Sequence, residues 1–213
     1  MRYLVFSDVH GNLPALEKVL KKEKNVDGYI NLGDVVNYGP WGNECVDLIE
    51  SLKNCINILG NHEEYYINKY CNVENKMVQS FFKHTITSFD RFDKIESYLK
   101  KCDFNNFNLI HNIGDHDYIY NDTTINIKEN IILGHSHQQY LRYINNFMLV
   151  NPGSLGQNRK LIDVASYMIW NTENGEFILK NCKFNIDLLI QQMIVDNYPK
   201  ICIDYYKNKK INK

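Results

Sequence analysis

Asp8-Val9-His10 sets a carboxylate and an imidazole two residues apart, a spacing that lets both turn towards one cation. Asp34 follows Gly33, Asn61-His62 follow Gly60, His135-Ser136-His137 follow Gly134, and His111 stands without a preceding glycine. A glycine before such a residue permits a tight turn that a side chain would obstruct. These positions hold two carboxylates, four imidazoles and an amide, with His62 as a spare imidazole. Mixed nitrogen and oxygen ligation suits Mn, Fe, Zn, Co or Ni ions better than Ca or Mg, which prefer oxygen shells. Each motif alone is weak: D-x-H is usually a polar loop, G-D a common turn and H-x-H often a surface feature. Their order and their placement after apolar runs give them weight.

Those apolar runs read as strands. Tyr3–Phe6, Gly28–Leu32, Ile56–Leu59, Asn108–Ile110 and Asn130–Leu133 are short and rich in β-branched and aromatic residues, and each stops at one of the motifs. Between them, Leu13, Leu16, Val19 and Leu20 recur at helical spacing up to about Lys24, and Cys45, Leu48, Ile49 and Leu52 form a second amphipathic set. Strand, loop and helix in repetition indicate parallel βαβ units, whose ligands bind beyond the carboxyl ends of the strands. Five of the chain's seven histidines fall at or just past these strand ends, which scattered core or surface histidines would not do. Residues 63–101 have helical character. Phe147–Val150, Ala165–Trp170 and Glu176–Lys180 read as later strands, with Asn174-Gly175 as a hairpin turn. Ile186–Val195 and Ile201–Tyr206 are helical, placing C-terminal helices within residues 185–207 and a frayed tail at 208–213.

At 213 residues and 44% hydrophobic, the chain can bury one core, and a single domain over 1–213 is expected. With 24 basic and 25 acidic residues the formal charge is −1, which gives no clear nucleic-acid surface. Six cysteines without a C-x-x-C pair read as free thiols in a reducing compartment. The N-terminal apolar run is too short for a signal segment or a membrane span, so a cytoplasmic location with no membrane partner is expected.

Asp8-x-His10-Gly11-Asn12, Gly33-Asp34, Gly60-Asn61-His62-Glu63, His111 and Gly134-His135-x-His137 resemble the motif series of the calcineurin-like metallophosphoesterases. Tyr38-Gly39-Pro40 and Asn151-Pro152-Gly153-Ser154 narrow the resemblance to a small prokaryotic phosphodiesterase-like subgroup, over about residues 1–160. The resemblance implies an α/β fold, a four-layer α/β/β/α sandwich, and two divalent transition metal ions, manganese first among the candidates. Asp8, His10 and His137 would hold one ion, Asn61, His111 and His135 the other, and Asp34 would bridge them. The implied reaction is direct attack of a metal-bridging hydroxide on a small phosphodiester, phosphomonoester or nucleotide, with Asp34, Asn61 and His62 as catalytic residues. Asn12, Tyr38 and Trp41 are expected at the substrate, although Asn12 reads equally as a helix N-cap. A homo-oligomer is compatible with the sequence.

The sequence departs from the family's protein-phosphatase branch in two places. Asn37 and Tyr38 stand where that branch has an Asp that orients the catalytic His and an Arg that grips phosphate. An amide cannot supply the negative charge that stabilises an imidazolium, and the missing Arg argues against a phosphoprotein phosphatase. Asn112 stands where the subgroup usually has Gly, and His116 competes with His111 as the ligand. A non-catalytic scaffold of this fold binding a protein partner is the alternative reading, although it predicts lost ligands. A nuclease subunit would want an extended basic groove.

Overall fold

A computed structural model describes residues 1–114 and 118–212. In chain order the elements are β1 (Arg2–Phe6), α1 (Leu13–Lys22), β2 (Gly28–Asn31), α2 (Gly42–Glu50), β3 (Cys55–Asn57) and α3 (Asn61–Ile67). They continue through α4 (Lys76–Thr85), α5 (Phe92–Glu96), β4 (Lys101–Phe104), β5 (Phe107–Ile110), β6 (Asn130–Ile132), β7 (Gln139–Ile144) and β8 (Phe147–Pro152). The chain ends with β9 (Val164–Asn171), β10 (Glu176–Lys183), α6 (Ile186–Val195) and α7 (Lys200–Lys207). The strands form two five-stranded mixed sheets, ordered β10-β9-β1-β2-β3 and β4-β5-β6-β8-β7.

The two-residue alternation of side chains along a strand explains why the sheets face each other. In β1, Tyr3 and Val5 point into the space between the sheets, where Ile30, Leu32, Leu109, Ile132, Met168 and Trp170 meet them. Leu4 and Phe6 point the other way, beneath Ala15, Leu16 and Val19 of α1 and the buried faces of the other helices. The outer face of the second sheet carries Ile131, Leu133 and Leu149, covered by Ile119 and Ile127. The α/β sandwich expected from the sequence is the fold, with a fourth layer that the irregular segment 118–129 provides among the described residues.

Two strands are additions to the sequence reading. β4 pairs with β5 across Asn105-Asn106 (φ 48° and 65°), and β7 pairs with β8 across Asn145-Asn146 (φ 48° and 73°). Both are two-residue hairpins that need left-handed backbone, and asparagine supplies it without the glycine that normally marks such a turn. The tail expected to fray is tied down instead: the Ile162 N–H donates to the Lys210 carbonyl (2.9 Å) and the Asn212 N–H to Asp163 Oδ1 (2.7 Å). Burial of Asp163 is the physical reason, since its carboxylate needs donors and the tail brings one.

Candidate metal centre

The parallel strands β1, β2 and β3 of one sheet and β5 and β6 of the other end on the same side of the molecule. Their C-terminal loops carry Asp8 and His10, Asp34, Asn61, His111, and His135 with His137. The backbone there is left-handed at non-glycine residues: φ is 55° at Asp8, 49° at His10, 57° at Asp34, 64° at His135 and 58° at His137. Asp, Asn and His enter this region more readily than other side chains, but each still costs roughly 1–3 kcal/mol. Neighbouring loops hold the geometry, with Asp8 N–H on Gly33 O (2.9 Å), His10 N–H on Asp34 O (3.0 Å) and Gly11 N–H on Val35 O (2.7 Å). A Cβ on Gly60 would lie 2.3 Å from Asp34 Oδ1, so only glycine admits that carboxylate.

The hydrogen bonds fix what the imidazoles present. His137 Nδ1 is 2.8 Å from the Gln157 carbonyl and His10 Nδ1 is 3.4 Å from the Val36 carbonyl. A carbonyl only accepts, so both Nδ1 atoms carry the proton and both Nε2 atoms turn lone pairs inward. Those Nε2 atoms are 3.2 Å apart, and Asp8 Oδ1 is 3.3 Å from that of His137. Among the described residues, neither oxygen of the fully buried Asp8 carboxylate has a hydrogen-bond partner. Three acceptors converging without a donor is the signature of a cation site, and the carbonyl bonds behind the ligands are the usual orienting contacts.

A second convergence lies beside it. His111 Nδ1 donates to the Leu32 carbonyl (2.6 Å), while its Nε2 is 3.1 Å from Asn61 Oδ1 and 3.2 Å from Asp34 Oδ2. Asp34 groups both with His10 and His62 and with His111 and His135, ligand atoms within 4.8 Å of one another in each set, so it is the shared residue. Burial pushes Asp8 up to about 7 and His10 down to about 3, and it carries His137 well below its ordinary value. Burial also opposes ionisation of Asp34 and His111, but their mutual attraction outweighs it. Asp34 is held well below the carboxylate range and His111 up at about 10.

Glu63 is the residue that the sequence reading quoted without a role. Its buried carboxylate accepts from the backbone N–H groups of Asp34 (2.7 Å), Val35 (2.8 Å), Val36 (3.1 Å) and Gly60 (2.9 Å). It thereby ties the Asp34 loop to the start of α3. Burial and Asp34 push it up to about 7 against the pull of these bonds. A Glu three residues into a helix, after a glycine turn, was the available signal.

His62 enters from α3, its N–H donating to Asp34 Oδ1 (2.9 Å) and its Nε2 lying 3.9 Å from Asp34 Oδ2. Its Nδ1 is 2.8 Å from Asn37 Nδ2. The amide orientation is set from the other end, because Asn37 Oδ1 accepts the Tyr38 N–H (2.8 Å), while the Thr85 hydroxyl has the Phe81 carbonyl as its nearer acceptor (2.8 Å). Asn37 therefore donates, His62 Nδ1 accepts, and the ring proton sits on Nε2, facing the metal centre. A carboxylate at position 37 would instead accept a proton from Nδ1 and favour the imidazolium.

The remaining expectations divide. Tyr38 packs edge-on against His10 (4.9 Å) and His62 (5.4 Å). Asn12 does not face the centre: its Oδ1 caps α1 at Ala15 N–H (3.2 Å) and its Nδ2 donates to the Gly156 carbonyl (2.7 Å), which spends the amide on the loops. Trp41 lies away from the ligands, in a surface cleft with Leu13, Leu188 and Val195, because it opens α2 on the face that packs towards α1 and α6. His111 is in place, and His116 lies outside the described residues. Ser154 supports the centre indirectly, its hydroxyl donating to the Asp8 carbonyl (2.8 Å).

A two-sheet sandwich with clustered carboxylates and imidazoles at its parallel strand ends defines a metal-binding hydrolase class. The sequence matches the family described as Calcineurin-like phosphoesterase over residues 1–179, and the chain belongs to that family. It is 29% identical to an uncharacterized protein of Methanocaldococcus jannaschii, an alignment covering 92% of this chain and 93% of that one. A metallophosphoesterase from Sphaerobacter thermophilus superposes with a TM-score of 0.78 at 25% identity, covering 97% of this chain and 98% of that one. A hypothetical protein from Pyrococcus horikoshii OT3 shares the fold, with a TM-score of 0.74 at 15% identity over 96% and 97% of the two chains. No helix among the described residues is long and apolar enough to cross a membrane.

Proposed function

We propose that this phosphoesterase-family chain uses two divalent transition metal ions to hydrolyse a small phosphodiester, phosphomonoester or nucleotide. Asp8, His10 and His137 would hold one ion, Asn61, His111 and His135 the other, and Asp34 would bridge them. Manganese is the first candidate, since the nitrogen and oxygen donors suit it as they suit iron, zinc, cobalt and nickel. The observation that supports this reading is the convergence of carboxylate and imidazole ligand atoms in adjacent groups, with Asp34 shared between two of them.

When bound, the ions would polarise the phosphoryl oxygens and make water between them a nucleophile at neutral pH. The chain's own groups do the positioning. Glu63 and the His62 N–H fix Asp34 from two directions. The Nε2–H of His62 is available to the leaving oxygen, where hydrogen-bond donation or proton transfer assists departure. The oxygen of water bonds to phosphorus, the phosphorus–oxygen ester bond breaks, and its electron pair and a proton leave on the alcohol.

Purified protein loaded with manganese should hydrolyse bis-p-nitrophenyl phosphate, and Asp34→Ala should abolish turnover. Absence of hydrolysis with manganese, iron, zinc, cobalt and nickel alike would overturn the assignment.

A further inference from the structure

A cavity of about 500 Å³ shares His137 with the candidate metal centre and has Arg159, Lys160, Tyr120 and Gln138 among its lining. That size falls in the range that takes a nucleotide-sized ligand. Among the described lining residues none is a carboxylate and two are cationic. The amides in the wall are already committed. Gln139 Nε2 serves the carbonyls of Pro152 (3.1 Å), Tyr167 (2.9 Å) and Lys180 (3.0 Å), and Asn181 Nδ2 donates to Gln139 Oε1 (3.1 Å). Asn158 holds the backbone under the cations, its Oδ1 accepting from Lys160 N–H (2.9 Å) and Leu161 N–H (3.1 Å). The cavity thus has a pre-paired neutral wall and a cationic entrance.

Arg159 is connected to the metal ligands through aromatic rings. Its guanidinium lies 4.7 Å over the ring of Tyr118 and donates towards Tyr120 Oη (3.4 Å). Tyr118 in turn stacks on His135 at 4.5 Å between centroids and 10° between planes. The column His135–Tyr118–Arg159 places a planar donor fork above a ligand ring, and the charge of Arg159 is felt at both Asp8 and His137. A guanidinium stacked on an aromatic face keeps its N–H edge free to take a phosphate bidentately, whereas an ammonium would act as a point charge.

We infer that Arg159, assisted by Lys160, binds a second phosphate beside the one at the metal centre, so that the substrate class is a nucleotide with a phosphoanhydride bond. This rests on the metal-dependent phosphoesterase reading above. In that reaction the oxygen of water bonds to phosphorus at the centre and the bridging phosphorus–oxygen bond breaks. The electron pair stays on the departing phosphate, and the protons of water end on the two phosphate products and solvent. Arg159 touches the second phosphate and stabilises the charge gathering there.

The test compares manganese-loaded wild type with Arg159→Ala and Arg159→Lys on ADP, which carries a second phosphate, and on bis-p-nitrophenyl phosphate, which does not. The ratio of kcat/KM on ADP to that on bis-p-nitrophenyl phosphate should fall about tenfold or more in Arg159→Ala, with KM for ADP raised and kcat lowered. Arg159→Lys should recover part of it, since charge remains and the fork is lost. An unchanged ratio overturns the inference and leaves the phosphoesterase reading intact. Should wild type hydrolyse neither compound, that reading fails instead, and calorimetric binding of ADP still decides the Arg159 contact. Affinity about tenfold weaker in Arg159→Ala supports the contact, and equal affinity overturns it.

Discussion

Asn37 differs from the carboxylate of the phosphatase branch by one atom type, and that exchange reverses the hydrogen bond at His62 Nδ1. Because the Tyr38 N–H donates to Asn37 Oδ1, the amide cannot turn without leaving a buried group unmatched. In zinc-loaded protein, side-chain ¹⁵N shifts should therefore show His62 as the Nε2–H tautomer. Asn37→Asp should place a proton on Nδ1 and favour the imidazolium, so that both ring nitrogens read as protonated. His62→Ala should lower kcat on an alkyl phosphodiester, whose leaving oxygen needs a proton, by roughly a hundredfold, the lower end of what a positioned acid contributes, with KM little changed. An Nδ1–H signal in the wild type would sink the assignment. The sequence disclosed that position 37 mattered; it did not disclose the direction of the hydrogen bond, which depends on the left-handed turn at Asn37 and Tyr38 that brings the Tyr38 N–H onto the amide oxygen.

At the scale of elements, the strands that carry the ligands were legible because apolar runs stop at Gly-Asp, Gly-Asn and Gly-His steps. β4 and β7 were not, because their hairpins turn on Asn-Asn and β7 places Arg142 and Tyr143 among its exposed and half-buried positions. The sequence left Asn12 open between substrate contact and helix N-cap, and the cap is what the structure shows; a loop position, as at Trp41, shows proximity in sequence to a motif but not which way the side chain points. Helix α1 illustrates a tie that no local pattern reveals. Glu23, just past its end, is buried and accepts from Tyr167 Oη of β9 (2.8 Å) and from Lys180 of β10, with Arg2 of β1 also near (3.7 Å). Burial works against its charge, but the bonds from Lys180 and Tyr167 win and hold its pKa below the ordinary value. A depressed folded-state pKa contributes stability that is present above the unfolded-state value and lost as pH falls through the folded one. Glu23→Gln should cost roughly 1–3 kcal/mol at neutral pH in urea unfolding, through lost charge-assisted hydrogen bonds. That gap should close as pH is lowered through the acid range. A gap that persisted unchanged at acid pH would assign the loss to packing.

At the scale of the whole molecule, the candidate centre is where the two sheets meet through polar groups. Elsewhere they meet through the apolar layer around Trp170, Leu109 and Ile132. Asp8, His10, Asp34 and Asn61 come from loops of the first sheet, and His111, His135 and His137 from loops of the second. Ions held by both sets would cross-link the sandwich at one end, and ligands brought together by folding are not gathered in the unfolded chain. Metal should therefore raise the unfolding temperature. At a free concentration of a hundred times Kd, the gain is about 2.7 kcal/mol, which for a chain of this length is roughly 5–10 °C. Chelation should reverse it, and Asp34→Ala should remove most of the response because the shared carboxylate is gone. Hydrogen exchange should show the protection arising together in the loops after β1, β2, β5 and β6. Protection confined to the loops of one sheet would mean that the ions sit within that sheet alone. A shared Asp34 predicts instead that the loops of both sheets gain protection in a single metal titration.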